Sequence, residues 1–282
     1  MILVEVVVVH TRKGFFNDCF HLEKDDHRLI GRLGGASQYA TTQDRFTIRN
    51  SNIKVEIMPD YLFFLRAGPG QADALHDWLL TNVGPRVAAS ENCTNLCINI
   101  GVKPRGGPTL YANEPREGDF FDASLDFSCP NKAAFARLME EFGSELSART
   151  VENFGYLVRR QREKDEPDRL VGNPAPGYKI MRGFFFFEDL PQSARQRSWN
   201  NHVNLAMCVH GFARYDRYWV ENPVTDGAPA IGGATNLHFA DEDTWKQDYF
   251  RVENGSMLIK QDISHFIEKG LARIFTKEYR LK

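Results

Sequence analysis

The sequence has no cysteine framework. Its 282 residues hold five Cys, an odd number at irregular spacings: Cys19, Cys93, Cys97, Cys129 and Cys208. That excludes the disulfide scaffold of a small secreted domain and points to free thiols in a reducing, cytoplasmic setting. Net charge is scarce too. Lys and Arg number 35 against 37 Asp and Glu, a balance of -2, so no global field draws the chain to nucleic acid or to an anionic membrane. Long apolar runs are missing. Residues 1–10 are apolar but too short for a spanning helix and wrongly flanked for a signal peptide; they read as a strand. There is no Walker loop, no glycine-rich dinucleotide fingerprint and no Gly-x-Ser-x-Gly. Gly232 and Gly233 open a predicted strand, not a strand-to-helix turn, so they make no phosphate loop. The eight His include no closely spaced pair on one element. No metal and no other cofactor is therefore expected.

What is present is an ordinary globular composition, 42% hydrophobic and 26% charged, with an excess of aromatics that includes 21 Phe. Such rings fill cores and also line pockets for planar ligands. The second part of the chain is the most legible. An apolar run at 180–187 is followed by a helix at 192–207, strands at 212–220 and 231–239, a helix at 241–250 and a strand at 271–281. That is the β-α-β-β-α-β order of a ferredoxin-like unit. The same order recurs earlier, with strands at 61–66, 93–100, 119–128 and 151–160 and helices at 70–83 and 131–142. Trp78 answers Trp199, and Leu125 and Phe127 answer Leu237 and Phe239, as in a diverged internal duplication. The predicted organisation is an N-terminal extension (1–55, with strands at 4–10 and 45–49), a first half (56–160), a charged, solvated linker (161–175) and a second half (176–282). A lone ferredoxin-like sheet has helices on one face only and leaves the other bare. Two halves in one chain bury those bare faces against each other. The expected fold is thus α+β, with tandem ferredoxin-like halves whose sheets pack face to face, an arrangement compatible with a further homodimer.

The second half also resembles a known family. Trp199 with His202, Gly211 with Arg214 and Tyr215, Gly233 with Leu237, Phe239 and Asp241, and Asp262 with Phe266 occur in the order and spacing of the EthD-like proteins, members of the dimeric α+β barrels. The resemblance covers roughly the last hundred residues. It implies that this chain forms an intrachain version of that barrel. In place of the His, small residue and Pro that the family carries after the position of His202, this chain has Val203, Asn204 and Leu205.

The candidate site residues lie on three elements. On the helix, Trp199, Val203, Ala206 and Met207 form a core stripe, and His202 sits at its edge, where a neutral imidazole can act as general base. On the strand 234–239, Asn236 and His238 share one face with Ala234, while Thr235, Leu237 and Phe239 share the other. Polar Asn236 and His238 on a doubly covered sheet need partners or a wet cavity. Tyr215 is placed to donate its hydroxyl to a substrate oxygen, and Arg214, two residues from Asp216 on one face, is placed for an ion pair. The assignment is His202, His238 and Tyr215 as catalytic residues and Trp199, Asn236 and Arg214 as substrate-binding ones, around a cavity between the helix and its sheet. The first half, with Asp122, Ser124 and Asp126 on one strand face, is the other location for a site.

The relatives implied by the resemblance include dehydratases, isomerases, cyclases and cofactorless oxygenases. The expected activity is that of a cofactor-independent lyase or isomerase using acid–base chemistry on a hydrophobic, aromatic small molecule, with no nucleic acid or membrane partner. The alternatives are a cofactorless oxygenase acting on an aromatic substrate, a non-catalytic protein that binds an aromatic ligand or a haem, and a purely structural pseudo-dimer.

Overall fold

The computed structural model describes residues 31–34, 38–40, 45–47, 58–102 and 121–282. The chain divides into two compact units, Met1–Glu56 and Ile57–Lys282. In the first, β1 (Gly31–Gly34), β2 (Gln38–Ala40) and β3 (Arg45–Thr47) form an antiparallel sheet with one another. β3 falls on the strand expected at 45–49. The strand expected at 4–10 lies outside the described residues.

The second unit repeats one pattern. Its first half runs through β4 (Asp60–Arg66), α1 (Ala72–Trp78), a π-helical turn (Leu79–Val83), α2 (Gly84–Ala89), β5 (Asn95–Gly101), β6 (Ala123–Ser128), α3 (Lys132–Arg149) and β7 (Glu152–Lys164). Its second half runs through β8 (Tyr178–Phe186), α4 (Gln192–Val209), β9 (Arg214–Pro223), β10 (Gly233–Phe239), α5 (Glu242–Asp248), α6 (Gly255–Ile263) and β11 (Ile267–Arg280). Side-chain caps start two of the helices: Asn131 Oδ1 accepts from the Ala134 amide at 2.9 Å, and Asp241 Oδ1 from the Thr244 amide at 2.6 Å.

Each half orders its strands last-first-third-second, β7-β4-β6-β5 and β11-β8-β10-β9, as a ferredoxin-like unit does. The halves are not simply two stacked sheets. β11 pairs antiparallel with β5, and β7 with β9, so the strands close into one eight-stranded barrel. Closure satisfies the backbone of all four edge strands, which a face-to-face stack would leave open. The linker is also shorter than its charge run implies. β7 continues to Lys164, and its Arg162 Nε reaches Asp216 Oδ1 on β9 at 2.8 Å. Charge there marks the rim of a barrel strand rather than a solvated tether.

The sheet has two kinds of face. Outside, two apolar clusters lie under the helices, one around Phe63, Leu125, Phe127 and Leu138, the other around Phe184, Trp199, Leu237 and Phe239. Inside, a third cluster around Leu62, Phe64, Tyr156, Met181 and Ile274 fills part of the barrel. The rest of the interior is polar.

Candidate active site

α4 crosses the outer face of the second half of the sheet. Trp199, Val203 and Ala206 are buried along it, and His202 beside them is buried as well, at 9% exposure. Trp199 packs on Gly233, where a Cβ would come within 2.7 Å of the indole. Only a residue without a side chain lets the ring settle there. Arg217 also holds it, donating to the Trp199 carbonyl at 3.0 Å with its guanidinium 5.0 Å from the ring centre. Beside this ring, space remains between α4, α6 and the strands.

That space is a cavity of about 80 Å³. A single water needs about 10–15 Å³, so the volume suits a ligand of one or two fused rings. Phe184, Trp199, Leu237, Ile259 and Ile263 make it apolar, and Thr235 adds a hydroxyl. Arg182 and Arg273, cross-strand neighbours on β8 and β11, border it. Gly270 also lines it, and a Cβ there would meet nothing closer than 4.0 Å, which keeps the sheet side open.

Four groups give the cavity its chemistry. His202 Nδ1 lies 2.7 Å from Asp262 Oδ2 on α6. A carboxylate accepts, so Nδ1 carries the proton, and in the neutral imidazole Nε2 is the nitrogen with the free lone pair. The Asp262 side chain is 36% exposed and links the imidazole to solvent. His210, at the end of α4, donates from Nδ1 to the Tyr249 carbonyl. Burial pulls its pKa down to about 4, aided by the neighbouring His202 and Arg182, so the ring is neutral. Tyr215 is fully buried, and burial raises its hydroxyl pKa while a hydrogen bond from the Trp199 side chain opposes the shift. Tyr249 has a buried hydroxyl with no hydrogen-bond partner among the described residues.

The structure therefore brings together three of the residues expected from sequence, His202, Tyr215 and Trp199. It does not bring in Arg214, Asn236 or His238. The apolar face of β10, with Leu237 and Phe239, turns to the apolar stripe of α4, and the polar face turns into the barrel. There His238 Nε2 donates to the Pro176 carbonyl at 2.8 Å and its Nδ1 takes an Arg214 N–H at 3.2 Å; burial lowers its pKa to about 4. Asn236 donates to the Tyr218 hydroxyl at 2.8 Å, and Tyr218 donates to Asp126. Arg214 reaches Glu278, and its Nε lies 3.4 Å from Asp216, the ion pair expected from their spacing. Glu278 also accepts from Lys179 at 2.8 Å. Burial alone would raise its pKa, but Lys179 and Arg214 outweigh that and bring it to about 2.

The first half differs. If Trp78 answers Trp199, then Thr81 stands where His202 does, and its hydroxyl bonds to Asp77 in its own helix at 2.6 Å. Phe135 stacks on Tyr61 at 3.8 Å between helix and sheet. Asp122 accepts from the Ala67 amide at 2.8 Å. Three residues of this site are not among those expected from sequence: His210 and Tyr249 in the cavity lining, and Asp262 behind His202. Asp262 stood in the pattern that carried the family resemblance, but its partner is 60 residues away, and no spacing rule reaches that far.

The fold and the cavity define a class: a dimeric α+β barrel built within one chain, with a ligand-sized space on the helix side of one half. No family model matches the sequence, and no curated protein matches it. Among solved structures, the chain is similar to an anthrone oxidase-like protein at 10% identity and a TM-score of 0.56, with 81% of this chain and 94% of that chain covered. It is also similar to a mutant chlorite dismutase from Candidatus Nitrospira defluvii, at 9% identity and a TM-score of 0.44 over 79% of this chain and 92% of that one. At such identities the likeness is one of fold.

Proposed function

We propose that this chain is a cofactor-independent enzyme that removes a proton from an enolisable aromatic molecule of one or two rings, and that it is a diverged member of the EthD-like group. The observation that carries the reading is the His202–Asp262 pair at 2.7 Å on the wall of an apolar cavity. Asp262 holds the proton on Nδ1 and stabilises the imidazolium that forms when Nε2 takes a proton from a substrate C–H. The residual negative charge delocalises into the ring and its carbonyl, with Tyr215 as a hydrogen-bond donor and Trp199 as the apolar wall.

The carbanion has two fates, re-protonation or elimination, as in an isomerase or lyase, and capture by O₂. The likeness to an anthrone oxidase-like protein supports the second, and we adopt it: a ring CH₂ and O₂ become C=O and water. A haem does not suit the cavity, whose volume holds a ring or two and not a macrocycle.

An oxygen electrode tests the reading. With 2-indanone, whose CH₂ is flanked by ring and carbonyl, the protein is expected to consume O₂ and yield the 1,2-dione. His202→Gln should slow this by about 10²–10⁴-fold. Binding without turnover in the unmodified protein would leave a non-catalytic aromatic binder; O₂ uptake unaffected by His202→Gln would remove His202 from the mechanism.

A further inference from the structure

The cavity wall carries a glycine that the fold does not call for. Gly270 on β11 lines the cavity and is exposed. It pairs with Phe184 on β8, which is buried under the helices and lines the same space. Directly opposed residues on neighbouring strands point to one face. A side chain at 270 would therefore project to the helix side, into the mouth of the cavity. Glycine within a strand is favoured where φ is positive, where a bulge needs it, or where another backbone or a ligand comes close. The first reason does not apply, because φ at Gly270 lies outside the left-handed region. β11 does shift register between Gly270 and Ala272, but the bulge that demands glycine is the one with a left-handed residue. Close packing is absent too. At Gly233 a Cβ would meet the Trp199 indole at 2.7 Å, whereas at Gly270 the nearest atom among the described residues is the Gly183 carbonyl oxygen, 4.0 Å away. An ordinary side chain would fit there, and glycine weakens a strand. What remains is room for a ligand.

We propose that Gly270 is a specificity-determining residue: the second ring of a two-ring aromatic lies over it, in the space a side chain would take, so that the site selects fused two-ring ligands over single-ring ones. This rests on the cavity being the ligand site and extends that reading to the substrate class. Leucine supplies the measure, since it adds to glycine four carbons, the number by which naphthalene exceeds benzene.

The test is a binding measurement that needs no turnover: isothermal titration calorimetry with 1-naphthol and with phenol for the native chain, Gly270→Ala and Gly270→Leu, beside thermal melts of all three. The native chain should bind 1-naphthol about ten-fold or more tightly than phenol, because the added ring carbons leave water. Gly270→Leu should weaken 1-naphthol by about ten-fold or more and leave phenol within about two-fold, with Gly270→Ala between the two, and neither variant should melt below the native chain. An unchanged 1-naphthol affinity in Gly270→Leu would overturn the proposal. So would an equal loss for both probes, which marks a blocked entrance, or a lowered melting temperature in Gly270→Ala, which marks a glycine that the strand itself requires. If neither probe binds the native chain, the cavity reading fails and this inference with it; if both bind and Gly270→Leu alters neither, this inference alone fails.

Discussion

The two nitrogens of His202 have separate tasks, and each can be disturbed alone. Asp262→Asn keeps the shape but lets either amide atom face Nδ1, so the tautomer with Nε2 free is no longer enforced. Turnover of 2-indanone should fall by at least about ten-fold, while the Kd for 1-naphthol, a two-ring probe of the size the cavity admits, stays within two-fold, a separation that steady-state kinetics and a binding titration resolve. Because His202 is buried at 9% exposure and not at an open edge, His202→Ala also leaves a void, and Gln is the cleaner probe. Gly233→Ala tests the cavity from the sheet side. Its Cβ would push Trp199 off its seat, and the ring has the cavity beside it to enter. We expect a loss of 1-naphthol binding and a shifted tryptophan emission, with the far-UV circular dichroism unchanged. At this scale the sequence was readable where local rules apply. Helix periodicity places Trp199 on the core stripe of α4 and His202 at its edge. It could not say which face of β10 looks at the helices, because both faces of a closed barrel are covered. Polarity decided it: the strand keeps its polar residues for the interior, against the expectation that Asn236 and His238 line the ligand space.

Among the elements, β11 forms one of the two seams between the halves, pairing with β8 of its own half and β5 of the other. From it, Glu278 reaches into the barrel to hold Lys179 and Arg214. Glu278→Gln leaves two buried cations short of their counterion, and removing one partner of a buried pair costs about 3–5 kcal/mol. Chemical denaturation should show a loss of that order, with the Kd for 1-naphthol little altered in the fraction that remains folded, since Glu278 is on the other side of the sheet from the cavity. The strands and long helices were evident from apolar runs and stripes. α6 is not evident in the sequence, because its nine residues begin on Gly255 and expose Met257 and Leu258, which blurs the period. That omission hid Asp262. The charged stretch after residue 160 reads as a linker in the sequence because Arg162 and Glu163 find their partners Asp216 and Arg217 only once β9 lies alongside.

At the scale of the whole molecule, barrel closure makes the halves interdependent. A chain of residues 171–282 alone would present β9 and β11 as open edges. We expect it to form a symmetric dimer in which β11 of each copy takes the place β7 holds against β9, detectable by sedimentation; a stable monomer would count against the edge-pairing account. The buried titratable groups set the acid limit of the whole barrel. His210 and His238 are held at about 4 against an ordinary 6.5. Between those values the unfolded chain binds protons that the folded chain refuses, so stability falls as pH drops from about 6.5 to about 4. Glu278, held at about 2 against 4.5, contributes stability above 4.5 that is lost as pH falls toward 2. Thermal melts should therefore decline continuously below pH 6.5, and His238→Gln should flatten the upper part of that decline.

The central claim, that His202 backed by Asp262 removes a carbon-bound proton in this cavity, is tested most directly without oxygen. Under nitrogen in D₂O, exchange at the CH₂ of 2-indanone is followed by NMR for the native chain and for His202→Gln. The account predicts exchange well above the buffer rate in the native chain, cut by about 10²–10⁴-fold in the variant. Exchange at the buffer rate in the native chain, with 1-naphthol still bound, would contradict it.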